Sequence, residues 1–390
     1  MDVFLLSAVR TPIGKFLGGL AEHTAPKLGS LVVAEALKRA SVPADKVDEV
    51  IMGCVIQAGL GQNPARQAAL GGGLPDTINA HTTNMVCGSG LKAVMLAAQG
   101  IISGDANIIV AGGMESMSRA PFLLPNVRGG YKYGDQTTQD ALIKDGLWCA
   151  FENWPMGNAA EHIAVKFGIS RAEQDRFSVQ SHQRAAAAWE SGAFANEVLT
   201  VAGGGRTPLI VSKDEGIRAD SSTESLSKLK PAFNKDGTVT AGNASQLSDG
   251  AAAVVVANAK TVEELKATPL ARIVATATSG VAPKDIFIAP VTAIQQVLAK
   301  AKLSLSQIDL FELNEAFATQ VLAGGKELKL DESKVNVNGG AIAMGHPIGC
   351  SGTRVLVTLA HALHAQNKRY GVASLCLGGG NAVAMVIERV

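Results

Sequence analysis

Short apolar runs alternate with alanine-rich amphipathic stretches along most of this 390-residue chain. This alternation predicts an α/β protein, because buried strands are brief apolar runs and helices repeat their apolar positions about every 3.6 residues. The first ten residues have the pattern of a strand. Four further runs, bounded by glycine or polar residues, predict buried strands at 108–111, 252–256, 273–276 and 372–377.

The two ends of the chain resemble each other at a nearly constant offset. Residues 47–50, 89–92 and 112–113 resemble residues 308–311, 351–354 and 378–379, at offsets of 261, 262 and 266. Three matches at one spacing indicate two copies of a single α/β unit. Residues from about 118 to 247 differ from both copies, and all the tryptophans lie there. We interpret this stretch as an insertion that covers a site built by the two copies; a middle domain with no role in a site is the alternative.

Composition and charge exclude several classes of protein. With 47% hydrophobic and 18% charged residues, the chain is expected to fold. Its formal net charge of +1 favours neither nucleic acid nor an anionic membrane as partner. We expect no membrane-spanning helix, because uninterrupted apolar runs of about 18 residues are missing, and no signal peptide, because no basic segment precedes an apolar one. The five cysteines form no CxxC pair, which favours a reducing compartment, the cytoplasm, over a disulfide framework or a zinc ribbon.

Two segments combine a reactive side chain with glycines. Cys87 precedes Gly88-Ser89-Gly90 and a predicted helix, whose N-terminus would stabilise a thiolate. His346 lies in a glycine-rich loop before Pro347, with a helix predicted from near Ser351. The plainer alternatives are a buried, inert cysteine and a structural histidine. Because the two loops occupy matching places in the repeat, a nucleophile and its base explain them better.

Two more segments are candidates for the same site. Cys376 ends an apolar run before three glycines from Gly378, whose N–H groups suit an oxyanion hole better than a phosphate loop, since no Lys-Ser/Thr follows. Asn314 follows another apolar run, where a helix cap is the alternative. The glycines near Gly59 begin like a dinucleotide fingerprint, but Pro64 stands in place of the third glycine, which argues against a nicotinamide dehydrogenase.

In their order and spacing these segments resemble the thiolase family over essentially the whole chain. The matching stretches are 10–14, 61–67, 84–90, 112–118, 314–317, 338–349 and 376–380. The resemblance implies an α/β thiolase fold, five-layered αβαβα, built from two similar halves with an inserted loop domain. The N-terminal half would comprise 1–117 and 248–268, the inserted CoA-binding domain 118–247, and the C-terminal half 269–390.

The resemblance also implies a role for each candidate. Cys87 would be the nucleophile that takes the acyl group from a thioester, and His346 would activate it. His346 and a water held by Asn314 would form one oxyanion hole, and the N–H groups of Cys87 and Gly378 the other. Cys376 would be the acid/base for the α-carbon of the second acyl-CoA. Claisen chemistry needs these parts and no metal or redox cofactor.

Coenzyme A and acyl-CoA are the partners that the resemblance implies, together with further copies of the chain in a tetramer or dimer. CoA contacts carry over to Met156, Arg218, Ser225, Phe233, Ala241, Ser245 and Phe317. We expect an acetyl-CoA acetyltransferase, because 128–135 and 143–147 resemble biosynthetic members. Pro155 before Met156 resembles degradative members, so a 3-ketoacyl-CoA thiolase of broader chain length is the alternative. A non-catalytic acyl-CoA or lipid carrier is the alternative from another class.

Overall fold

The computed structural model describes residues 2–204 and 210–390 of the chain. Within them lie sixteen strands, β1 (Val3–Arg10), β2 (Gly14–Lys15), β3 (Glu49–Gly53), β4 (Asn79–Thr83), β5 (Ile108–Ser116), β6 (Phe122–Leu123), β7 (Gln139–Asp140), β8 (Trp148–Cys149), β9 (Trp154–Pro155), β10 (Val201–Ala202), β11 (Ile210–Val211), β12 (Ser248–Asn258), β13 (Ala271–Gly280), β14 (Leu310–Leu313), β15 (Tyr370–Leu377) and β16 (Asn381–Arg389). The α-helices of the same residues are α1 (Ala25–Ala40), α2 (Pro64–Gly71), α3 (Ser89–Ser103), α4 (Met156–Phe167), α5 (Arg171–Glu190), α6 (Thr223–Ser227), α7 (Ala259–Leu265), α8 (Ala289–Ala301), α9 (Ala318–Leu328), α10 (Ala341–Met344) and α11 (Ile348–Ala365).

The predicted strands are all confirmed. The N-terminal run forms β1, and the four other runs lie within β5, β12, β13 and β15. The helices expected after Cys87 and near Ser351 are α3 and α11. Helix α11 begins three residues earlier than predicted, at Ile348, because Pro347 is its N-cap and presets a backbone angle that suits a helix start.

Two halves of the main sheet repeat one strand order. The order along the sheet is β14-β15-β16-β13-β1-β12-β5-β3-β4, and β2 pairs with β12 at its side. In both halves two antiparallel pairs are followed by one parallel pair, along β1-β12-β5-β3 and along β13-β16-β15-β14. The halves meet where β1 pairs with β13. The internal repeat predicted from the sequence is therefore confirmed by the topology.

Five layers result from where the helices pack. Helices α3 and α11 contact each other and lie between the two halves of the sheet, with α1 and α2 on the outer face of the N-terminal half and α8 on the outer face of the C-terminal half. Glycines let the two central helices approach closely. A Cβ added at Gly90 would lie 2.8 Å from the Thr353 nitrogen, and one at Gly352 would lie 2.3 Å from the Leu91 nitrogen. The chain has the expected αβαβα thiolase architecture, and the central helix pair brings the N-terminal ends of α3 and α11 together.

One segment of the described chain, Val86–Ser103, is long and apolar enough by length and composition to cross a membrane. It contains α3, whose apolar side chains belong to the largest core cluster of the protein. A helix enclosed by two sheet halves needs apolar residues around most of its surface, so this position accounts for its composition.

Residues 118–247 place α4, α5 and α6 beside the C-terminal half. Helix α4 packs on α9 and on the 3-10 turn Pro283–Ile288, and α5 packs on α9 and α10. The domain boundaries given above remain a prediction.

Candidate active site

The loops before α3 and α11 and the turn after β15 open into one cavity of about 910 Å³. Cys87, His346, Cys376 and Gly378 all line it, although they are far apart in the sequence. Residues 143–151, from the predicted insertion, line it as well. The structure therefore brings together four of the five predicted catalytic residues, and Asn314 reaches the site from behind His346.

The Cys87 loop has a strained backbone that adjoining residues hold in place. Val86 has φ +47°, a left-handed conformation that is costly for a β-branched residue. The Ser89 hydroxyl accepts the Met85 N–H at 2.9 Å and donates to the Val86 carbonyl at 2.6 Å. These bonds fix the sharp turn that places Cys87 at the entrance of α3, facing the cavity.

Cys87 holds its proton more tightly than the sequence predicted. Burial raises the pKa of the Cys87 thiol to about 12, and the backbone N–H groups of Cys87 and Gly378, which point to the sulfur, lower it only in part. The helix N-terminus was expected to stabilise a thiolate at Cys87, and the N–H groups act in that direction, but desolvation outweighs them. A base must accept the proton when Cys87 attacks.

His346 lines the same cavity as Cys87 and has the properties of such a base. Its Nδ1 lies 2.6 Å from the Ser351 hydroxyl, and its Nε2 lies 3.3 Å from Asn314 Nδ2. Burial, and secondarily the charge of Arg354, lowers the pKa of His346 to about 3. The imidazole is neutral at physiological pH, so one ring nitrogen is free to accept a proton.

Asn314 follows β14 and contacts His346 without lining the cavity itself. Its N–H donates to the Ser374 carbonyl at 3.1 Å, which ties the residue to the neighbouring strand β15. Its Oδ1 is buried and has no hydrogen-bond partner within residues 2–204 and 210–390. A buried amide oxygen without a protein partner suits the water-holding role that the family resemblance implies.

Cys376 is the penultimate residue of β15, separated by one residue from the glycine turn that begins at Gly378. It is buried, and burial together with the nearby Cys87 raises the pKa of the Cys376 thiol well above its ordinary value. The Cys87 sulfur is thus close enough for its charge to disfavour a thiolate at Cys376. Gly379 and Gly380 continue the turn with φ +85° and +88°, a region that glycine adopts without strain.

A buried carboxylate that sequence reasoning missed braces the site. Glu115, at the end of β5, accepts the N–H groups of Val55 at 3.1 Å, Ile56 at 3.2 Å and Gly349 at 2.9 Å. It thereby joins the N-terminal half to the first turn of α11, just after His346. Burial raises its pKa to about 7, against the effect of these donors. The glycines before Glu115 marked the segment, but its partners lie 59 to 234 residues away in the chain.

Glu315 braces the other side of the histidine loop. Its carboxylate accepts hydrogen bonds from the Ser181 hydroxyl at 2.7 Å, from Asn336 Nδ2 at 2.9 Å and from the Ile342 N–H at 3.1 Å. The bond to Ile342 lies in α10, immediately before the loop that carries His346. Glu315 also follows Asn314 in the chain, so one carboxylate steadies both residues.

The residues predicted to bind CoA divide into two groups. Met156, Phe233, Ser245 and Phe317 line the cavity, where the rings of Phe233 and Phe317 meet edge to face at 6.2 Å. Arg218, Ser225 and Ala241 are exposed and lie outside its lining. The Ser225 hydroxyl takes part in the capping box of α6 with Ser222. The CoA contacts of all seven residues remain predictions.

Comparisons with known proteins agree with this architecture. A family model described as the thiolase N-terminal domain matches residues 3–260, and one described as the thiolase C-terminal domain matches residues 267–389. An acetyl-CoA acetyltransferase of Escherichia coli is 53% identical over 388 residues, covering 99% of this chain and 98% of that protein. One of Cupriavidus necator is 52% identical over 390 residues, covering 100% and 99%. The crystal structure of the Bacillus anthracis acetyl-CoA acetyltransferase aligns with a TM-score of 0.98 at 44% identity, over 100% of this chain and 99% of that chain. Each similarity extends over nearly the full length of both proteins.

Proposed function

Because the chain belongs to the thiolase family, we propose that it makes or cleaves a 3-ketoacyl-CoA through an acyl group on Cys87, with acetyl-CoA as its preferred acyl donor. It is an acyltransferase, and its substrates are CoA and acyl-CoA. The observation that carries the residue roles is the convergence of two cysteines and one neutral histidine in a single cavity.

In the first half-reaction the Cys87 sulfur attacks the thioester carbonyl while its proton passes to His346. The carbonyl oxygen becomes an oxyanion, and the N–H groups of Cys87 and Gly378, which point to the sulfur, lie where they can stabilise it. Cys376 keeps its proton at rest because its pKa is raised, so it is an acid for the departing CoA thiolate. This transfer leaves Cys376 as the thiolate.

In the second half-reaction the Cys376 thiolate removes the α-proton of a second acetyl-CoA. The resulting carbanion attacks the acyl carbonyl on Cys87, the new carbon–carbon bond forms, and Cys87 leaves and recovers its proton from His346. Both cysteines and the histidine return to their starting protonation states. Thiolysis is the reverse sequence. Because the protons move among these three side chains, we propose that the reaction uses no cofactor beyond CoA.

The setting of the enzyme belongs to the same proposal. We propose a homotetramer that acts in the cytoplasm, in fatty-acid and lipid metabolism. The segment around β6 and β7 supports an oligomer, because it is mostly exposed and presents Phe122, Val127 and Tyr133 to solvent. Light scattering coupled to size exclusion would report the number of subunits.

The test is a chain-length profile of the purified protein. We expect thiolysis of acetoacetyl-CoA to exceed that of 3-ketoacyl-CoAs with longer chains, and condensation of two acetyl-CoA molecules to be measurable. Faster turnover of the longer substrates would favour the degradative alternative. Binding of acyl-CoA without turnover in either direction would favour the carrier.

A further inference from the structure

We propose that Ser351 is a positioning residue that fixes the tautomer of His346, so that Nε2 is the nitrogen that accepts a proton from Cys87. This inference rests on the proposed function, and neither the motifs nor the comparisons point to Ser351. It is carried by the hydrogen bonds of the buried Ser351 hydroxyl, which donates to the Pro347 carbonyl at 2.9 Å and lies 2.6 Å from His346 Nδ1.

The Pro347 carbonyl decides the direction of the second bond. A carbonyl only accepts hydrogen bonds, and we infer that the Ser351 hydroxyl directs its proton to it, as the Ser89 hydroxyl does to the Val86 carbonyl in the first half. The oxygen then has lone pairs but no proton left for His346, and His346 Nδ1 must donate. A neutral imidazole with a proton on Nδ1 has its lone pair on Nε2.

The internal repeat explains why the Ser351 oxygen is available to accept a hydrogen bond from His346. At the same offset in the first half, Ser89 donates to a loop carbonyl and accepts the backbone N–H of Met85. The residue that corresponds to Met85 is Pro347, which has no N–H. In the first half the serine oxygen accepts a backbone N–H, whereas in the second half no such N–H is available. The Ser351 oxygen is therefore free to accept a hydrogen bond from the His346 side chain instead.

Without the hydrogen bond from Nδ1 to Ser351, the His346 imidazole no longer prefers the tautomer with its proton on Nδ1. Both tautomers would then be populated, and the one with a proton on Nε2 cannot accept the proton of Cys87. Ser351 is not among the residues that line the described cavity, so its hydroxyl does not contact the substrate. Loss of the hydroxyl should therefore lower the rate of Cys87 acylation and leave KM for the acyl-CoA almost unchanged.

The first experiment compares Ser351→Ala with Ser178→Ala. Ser178 is a matched control, because it is a buried helical serine whose hydroxyl donates to the carbonyl four residues earlier, Gln174, at 2.8 Å. We expect Ser351→Ala to slow single-turnover acetylation of Cys87 by about two- to tenfold, the change in tautomer population that the loss of one neutral hydrogen bond allows. Ser178→Ala should keep the wild-type rate, and Ser351→Thr, which retains the hydroxyl, should recover most of the loss. A folded Ser351→Ala that acetylates Cys87 at the wild-type rate, or a loss of the same size in Ser178→Ala, overturns the proposal.

The second experiment determines the tautomer in the wild-type protein and uses a variant only to assign the signals. The ¹⁵N chemical shifts of the His346 ring in the wild-type protein, assigned by loss of the signals in His346→Asn, distinguish the two tautomers directly. We expect a protonated Nδ1 and an unprotonated Nε2. A proton on Nε2 overturns the proposal even in a fully active enzyme, whereas inactive wild-type protein with the expected tautomer would contradict the proposed function alone.

Discussion

At the scale of single residues, the reactive side chains of the site are uncharged before substrate binds. Cys87 and Cys376 are both thiols at rest, and His346 is a neutral imidazole, because burial disfavours each charged form. Charges then arise only when a substrate is bound, and the N–H groups of Cys87 and Gly378 and the side chain of Asn314 are already in place to meet them. Such preorganised donors are the largest contribution in many enzymes.

The raised pKa of Cys87 has a direct consequence for its alkylation. Below the pKa the thiolate fraction grows with pH, so the rate of modification by iodoacetamide should rise about tenfold per unit from about pH 7 to about pH 9. Mass spectrometry should find the first adduct on Cys87, since the other four cysteines are buried, and acetyl-CoA should slow its formation. A plateau below about pH 8 would instead indicate a preformed thiolate–imidazolium pair. A first adduct on Cys54 or Cys149 with surviving activity would contradict the choice of nucleophile.

Arg218 is a second single residue whose predicted role can be tested, here in CoA binding rather than in the chemistry. It is exposed and outside the cavity lining, so we expect it to contact the nucleotide end of CoA, far from the reacting carbon. Arg218→Ala should raise KM for acetoacetyl-CoA by about tenfold or less, roughly 1.4 kcal/mol of lost binding, with kcat nearly unchanged. Steady-state kinetics would measure both constants, and a collapse of kcat at saturating substrate in a folded variant would show that this placement is wrong.

At the scale of elements, the glycine turn between β15 and β16 carries the most demanding geometry. A Cβ at Gly380 would lie 2.5 Å from the carbonyl oxygen of Val281. The backbone N–H of Val281 also donates to the Gly380 carbonyl at 2.7 Å. The turn that presents the Gly378 N–H to Cys87 is thereby locked to the segment after β13. No side chain fits there without a shift of the backbone.

Gly380→Ala tests this requirement, and Gly104→Ala is its matched control. Both glycines have φ +88°, but a Cβ at Gly104 would meet no atom within 4 Å among the described residues. Both variants should lose about 1–2 kcal/mol from the left-handed backbone alone. Gly380→Ala should lose about 1–3 kcal/mol more, because overpacking shifts its neighbours, and it should also lose thiolysis activity. Thermal melts and a thiolysis assay would measure the two effects; equal melting temperatures and equal activities would contradict the account of the turn.

The elements were predictable because their signals are local. Branched apolar runs such as the one within β12, and the glycine before the helix at Gly88, mark strands and a helix start from a few neighbouring residues. The left-handed conformation of Val86 was not predictable, since a β-branched residue disfavours it. The hydrogen bonds of the Ser89 hydroxyl hold it, and Gly378 leaves room for it, since a Cβ added there would lie 3.2 Å from the Val86 side chain.

At the scale of the whole molecule, the active site forms because two copies of one unit face each other across α3 and α11. The constant offset in the sequence predicted those copies, and the recognised motifs named Cys87, His346, Cys376 and Asn314. Hydrogen-bond partners that meet only when the two copies pack together could not be predicted from the sequence. Glu115 and Ser351 are ordinary residues in the sequence, and only the folded chain brings Glu115 to Gly349 and aims Ser351 at His346. Likewise, the sequence gives no reason for desolvation to exceed the effect of the helix N-terminus at Cys87.

The division of labour between the two cysteines is the central claim, and intact-mass spectrometry after incubation with acetyl-CoA tests it most directly. Cys376→Ala should gain an acetyl group, an increase of about 42 Da, on Cys87, because the nucleophile and its base remain, although slower release of CoA will slow the step. It should then fail to condense with a second acetyl-CoA and should lose exchange of α-protons with solvent deuterium, a loss of about 10²–10⁴-fold for a positioned base. Cys87→Ala should gain no acetyl group. A folded Cys376→Ala that stays unacetylated, or a Cys87→Ala that is acetylated and turns over, would contradict the account.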